Sequence, residues 1–170
     1  MDAGSFERND KLDIRYRKIG NGLVVSGMGI VFLGLWAVIR VFAQMALGQL
    51  NLMEFLMSGT DGSADTKALM ITVFAMILIL LIISHYYVGK CAIQVGIGKK
   101  NHYLYLLIVV FLLYLNLAGF KEYFDPDFHP TQYDITIASF LVDVASSATF
   151  LNMIISSIIY YGMRKIAGED

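Results

Sequence analysis

The chain has 170 residues, 57% of them hydrophobic, and a formal net charge of -1. The length suits one domain, and the apolar share exceeds the roughly 45–50% of soluble domains. The near-neutral charge gives no ground for a nucleic-acid partner, and the single cysteine, Cys91, excludes an internal disulfide or a Cys-x-x-Cys redox pair.

Residues 1–20 form an arm rich in positive charge, with Arg8, Lys11, Arg15, Arg17 and Lys18. The first apolar stretch, about 21–47, follows it. A bilayer core about 30 Å thick needs roughly 20 apolar residues in a helix, so this stretch is long enough to span. Its apolar core is too long for a signal-peptide h-region, and no Ala-x-Ala-like site follows it. It is expected to remain in the mature protein.

This span holds Gly20, Gly22, Ser26, Gly27, Gly29 and Gly34. Gly22 and Ser26 make a small-xxx-small pattern, and Gly27 and Gly34 lie one heptad apart. Both spacings favour close helix contact. The run GMGIVFLGL resembles the single membrane helix of small subunits of sodium-pumping decarboxylases. The other three spans have no counterpart there, and no function is carried over.

After this span, QLNLMEFLM reads as a short amphipathic helix on the outer surface, and MSGTDGSADTK as flexible turns. The second span is about 68–89. Between 69 and 83 its only polar side chain is Thr72, a pattern of lipid exposure and not of an amphipathic soluble helix. His85 is placed near the inner end of this span as a hydrogen-bonding anchor. KCAIQVGIGKK then reads as an interfacial turn.

The third span is about 102–120, with Asn116 near its outer end as a cap or a cross-helix partner. In the loop FKEYFDPDFHP, Asp125, Asp127 and His129 alternate and offer oxygen and imidazole ligands to a divalent ion. Asp125-Pro126 and His129-Pro130 are also good turn chemistry, which is the preferred reading. No cofactor is expected.

The fourth span, about 135–163, is the most polar. It carries Asp143, Ser146, Ser147, Thr149, Asn152, Ser156 and Ser157. Asp143, Ser146, Ser147 and Asn152 are expected to face the bundle interior or a protein partner. Phe140, Leu141, Val144, Phe150 and Leu151 are expected toward lipid, with one or two of them packing inward. Residues 164–170 form a short tail.

Charges inside a span are costly, so each is a functional hypothesis by default. Arg40 and Asp143 both lie about 10–12 Å below the outer boundary at 1.5 Å per residue. Matched depth permits an ion pair if spans one and four are neighbours, as in a closed four-helix ring. The pair is read first as architectural and second as lining a pathway.

The arm, the Lys90–Lys100 loop and the tail with Arg164 and Lys165 carry all the Lys and Arg except Arg40, Lys67 and Lys121. Positive residues mark the cytoplasmic side. The chain therefore reads as an all-α, integral membrane four-helix bundle, up-down-up-down, with both termini in the cytoplasm and the plasma membrane as its location. Tyr16, Tyr86, Tyr87, Tyr103, Tyr160 and Tyr161 are expected as headgroup anchors at the cytoplasmic ends.

There is no His-Glu-x-x-His, Gly-x-Ser-x-Gly or Walker loop. The leading functional reading is a non-enzymatic accessory, assembly or regulatory protein acting through helix contacts. Its partners would be the bilayer and a second copy or another membrane protein. The alternative is a small homo-oligomeric transporter or channel with Arg40 and Asp143 lining the pathway. A lipid-acting enzyme ranks third.

Reporters fused at residue 170 or within Lys90–Lys100 should read as cytoplasmic, and one at Gly62 as external. A cytoplasmic reading at Gly62 would overturn the four-span arrangement or its orientation.

Overall fold

The computed structural model describes residues 3–46, 64–99, 103–124 and 137–167. They are all-helical: α1 (Ala3–Ala46), α2 (Ala64–Gly96), α3 (Leu104–Tyr123) and α4 (Ile137–Ala167). Each of the four helices is long and apolar enough to cross a membrane. Without water to satisfy it, backbone in hydrocarbon must close its own hydrogen bonds, and a long helix does so.

Two elements differ from the sequence reading. The arm and the first span are one helix, α1, from Ala3 to Ala46. The second helix does not stop at residue 89 but runs on to Gly96. Lys90 ends the uncharged run yet not the helix. Its side chain is exposed and approaches the Tyr86 ring, 5.9 Å from the centroid, while Cys91, Ala92 and Val95 are buried. An exposed cation on a helix whose other face is packed costs that helix little.

The real stop is at Gly98, whose φ of +75° is open to glycine and strained for residues with a Cβ. The Gly98 amide donates to the Val95 carbonyl at 2.9 Å and the Lys99 amide to Gln94 at 3.0 Å. This pair of bonds is a Schellman ending, which satisfies carbonyls the helix would otherwise leave bare. The turn is thus Ile97–Lys99. The outer amphipathic segment expected at QLNLMEFLM lies outside the described residues.

The principal seams join α1 to α2 and α4, and α3 to α4 and α2, which closes a ring in chain order. The α1–α2 seam is the most extensive and is built on glycine. A Cβ on Gly27 would sit 2.7 Å from the Gly89 carbonyl oxygen, and one on Gly20 would sit 2.5 Å from that of Gly96. The reciprocal distances, from Gly89 to Gly27 and from Gly96 to Gly20, are 2.6 and 2.5 Å. Only residues without a Cβ allow backbones this close. One heptad further along, Gly34 lies against the His85 side chain, where a Cβ would come within 2.5 Å. Residue numbers fall on α2 as they rise on α1 along this seam. Gly22 has open space around it, so the contact follows the Gly20, Gly27 and Gly34 heptad instead of Gly22 and Ser26.

The core is a run of fully buried side chains between the helices: Leu23 and Ile30 from α1, Val88 and Val95 from α2, Tyr105 and Val109 from α3, Met153 and Tyr160 from α4. Much of the outer surface is apolar, with Phe32, Met76, Leu80, Leu107 and Ile158 among the exposed residues. Such a surface suits hydrocarbon and not water.

Gly27→Val in the seam should destabilise the detergent-solubilised protein by about 1–3 kcal/mol, because its new methyls meet backbone that cannot yield. Gly22→Ala should leave stability unchanged or raise it by a few tenths of a kcal/mol. Equal losses at both positions in an unfolding titration would show that the glycine contact does not set the seam.

Candidate functional site

α4 carries its polar groups toward the other helices, and their partners alternate. Arg40 of α1 donates from Nη1 to Asp143 Oδ2 at 3.4 Å. Ser147 donates to Asn116 Oδ1 of α3 at 2.7 Å. Asn152 Nδ2 donates to Ser26 Oγ of α1 at 2.8 Å. Ser157 and the Tyr105 hydroxyl of α3 are bonded to each other, and the Tyr16 hydroxyl of α1 donates to Tyr160 at 2.5 Å. Among the described residues no buried side-chain nitrogen or oxygen lacks a partner.

The expected ion pair therefore forms. It is looser than the roughly 2.7–2.9 Å usual for charge-assisted bonds, and both side chains are 26% exposed. A second donor shares its acceptor: the Tyr123 hydroxyl, one turn past Gly119 on α3, also bonds Asp143 Oδ2. Tyr123 lies beyond the apolar stretch of α3, and burial, reinforced by the carboxylate, pushes its pKa up to about 12. It stays a donor throughout the physiological pH range.

Ser146 and Ser147 are buried as expected. Ser146 bonds back to the Val142 carbonyl of its own helix at 2.8 Å, so it spans no seam. Asn152 is exposed despite its bond to Ser26, and so lies at the edge of the α1–α4 seam. Of the residues expected toward lipid, Phe150 is one that packs inward: it is 2% exposed, beside the His85 ring at 6.1 Å between centroids. Leu141, Val144 and Leu151 are exposed. Asp125, Asp127 and His129 lie outside the described residues, and no group of three His, Cys, Asp or Glu side chains that could hold a metal occurs among the described ones.

Below the ion pair is a cavity of about 190 Å³ to which all four helices contribute. Its polar lining is Arg40, His85, Asn116, Asp143 and Ser146, and its apolar walls include Trp36, Ala37, Leu81, Leu112 and Phe150. His85 is thus not an interfacial anchor. It lies across from Gly34, deep in the bundle, because α2 continues eleven residues beyond it to Gly96. Its Nδ1 is 2.8 Å from the Leu81 carbonyl, which can only accept. A proton therefore sits on Nδ1. Gly34 was the sequence signal for this: a glycine one heptad from Gly27 makes room for a large side chain opposite.

At the end of the bundle that carries Arg15, Arg17, Lys18 and Lys99, the interior is closed. Tyr105 and Tyr160 are fully buried there, and Tyr16 stacks on Tyr160 at 4.6 Å between centroids. Tyr86 and Tyr103 are exposed as anchors would be, whereas Tyr160 is core.

No protein-family model, curated protein or solved structure matches the chain.

Asp143→Asn should lower stability by about 1–3 kcal/mol, less than for a fully buried pair because the carboxylate is partly exposed. Arg40→Gln combined with Asp143→Asn should lose less than the sum of the single changes. Strictly additive losses in that double-mutant cycle would show no coupling.

Proposed function

We propose that this is a non-enzymatic, multi-pass protein of the plasma membrane that acts through helix contacts with a membrane partner, as an accessory, assembly or regulatory subunit. Its helices cross up-down-up-down, and the basic end, with both termini, lies in the cytoplasm. The opposed numbering along the α1–α2 and α1–α4 contacts and the positive-inside rule support this arrangement.

Tyr114 carries the reading. It lies ten residues into α3, about 15 Å along a helix that crosses roughly 30 Å of hydrocarbon. Its side chain is 67% exposed there. Tyrosine belongs at the headgroups, where its hydroxyl is wet. A phenol presented to lipid near mid-depth suits a helix from another chain with an acceptor to offer. The bonds of α4 favour the same reading, since its polar groups are spent holding the bundle together.

A second reading, a small-solute transporter assembled from several copies, is favoured by one observation: the cavity against Arg40 and Asp143. Under that reading the closed tyrosine end would have to open.

A photocrosslinking amino acid at Tyr114, introduced in native membranes, should give a discrete adduct to one protein or to a second copy. The same probe at Leu80, exposed on α2, should give lipid adducts. The purified chain in liposomes should show no saturable solute flux. Lipid adducts alone at Tyr114 would overturn the contact reading, and saturable flux would put transport in its place.

A further inference from the structure

The cavity has a composition that narrows what it can hold. One positive and one negative side chain line it, and its walls are mostly hydrocarbon, with the His85 imidazole and Ser146 as further polar groups. Arg40 has five N–H donors and Asp143 two acceptor oxygens. Their mutual bond uses only Nη1 and Oδ2, and Tyr123 adds to the same oxygen. Asn116 spends its carbonyl oxygen on Ser147, which leaves its amide nitrogen as a donor on a residue that lines the cavity. The polar capacity of the rim is therefore only partly used among the described residues.

Charge balance decides between ligands. A lone anion on Arg40 would draw the guanidinium from Asp143 and leave the carboxylate with the Tyr123 hydroxyl as its one neutral donor among the described residues. A lone cation on Asp143 would strand Arg40. A ligand bearing both charges can exchange with the existing pair and leave neither unpaired. Its carboxylate would take the guanidinium in a two-bond fork, with the Asn116 amide beside it. Its ammonium would take the second oxygen of Asp143.

The size is also limiting. A volume of about 190 Å³ exceeds the roughly 150 Å³ in which benzene is known to bind. Leu81, Leu112 and Phe150 in the walls suit a short branched hydrocarbon group. From these features we infer that the cavity is a binding site for a small zwitterion with an apolar side chain, of the size and kind of an aliphatic α-amino acid. The inference shares with the transporter reading the premise that the cavity admits water, but binding needs no passage to the other side.

The probes are L-valine and L-leucine, with 4-methylpentanoate and 3-methylbutylamine as leucine analogues that each lack one charge. They are titrated calorimetrically into the full chain in lipid nanodiscs. The amino acids should bind saturably, with both single-charge analogues weaker by more than about tenfold. Ala37→Leu, which fills the wall and touches no charge, should abolish binding while the protein still unfolds cooperatively. A single-charge analogue binding as tightly as leucine would overturn the inference, as would binding that survives Ala37→Leu. Labelling Asp143→Cys in a Cys91→Ser background with a water-soluble thiol reagent separates the remaining failures. No amino-acid binding with labelling means a cavity that holds water only, which overturns the inference and leaves the wet cavity standing. No binding and no labelling removes both.

Discussion

A polar side chain among hydrocarbon has no water to turn to, and this fold is organised around meeting that demand along one helix. α4 presents Asp143, Ser147, Asn152, Ser157 and Tyr160 along its length. They are met in turn by Arg40 on α1, Asn116 on α3, Ser26 on α1, Tyr105 on α3 and Tyr16 on α1. Alternation of this kind locks α4 in rotation and in height. A slip by one turn would misplace every partner at once, on both neighbours. The same contacts place α1 and α3 on either side of α4, and α2 is then left to close the ring.

α2 is held by different physics. It has almost no polar side chain to offer within its apolar run, and its one buried imidazole is bonded to its own Leu81 carbonyl. Lipid tails are as apolar as its side chains, so burial of apolar area does not draw it to α1. Closeness must do that work. Gly89 and Gly96 let the backbone of α2 meet Gly27 and Gly20 of α1. Dispersion between well-fitted surfaces adds up over such a seam. The bundle thus has a polar-bonded half around α4 and a close-packed half between α1 and α2. The cavity lies where these halves meet, lined by Trp36 and Arg40 of α1, His85 of α2, Asn116 of α3 and Asp143 of α4.

The spans were legible because length and apolarity in lipid leave little choice but helix. The Arg40–Asp143 pair was legible too, since two costly charges at one depth are each other's cheapest partners. The Ser147–Asn116 bond was not paired in advance, because uncharged groups carry no such imperative and many partners would serve. The sequence places His85 at the interface because Lys90 reads as the start of a loop, yet one exposed lysine can reach the interface from inside a helix. The stop signal that counted was Gly98, where the left-handed backbone ends α2. Which of the lipid-side residues of α4 packs inward is not legible in the sequence; it is Phe150 that does. Its neighbours Ser146, Ser147 and Met153 show that it shares the buried side of α4.

The two ends of the interior are unequal, and the inequality limits what the protein can do unaided. A solute reaching the Arg40–Asp143 rim would find room as far as Phe150 and His85. Beyond them it meets Ile30, Val88, Val109 and Met153, all fully buried, and then the bonded tyrosines Tyr105 and Tyr160. Passage would need the Tyr105–Ser157 and Tyr16–Tyr160 bonds to break together, since each ties α4 to a different neighbour. Breaking only one would leave α4 clamped by the other. Both bonds are made by side chains of α4, and the same helix carries Asp143, so the closed tyrosine end and the charged rim are built on one element.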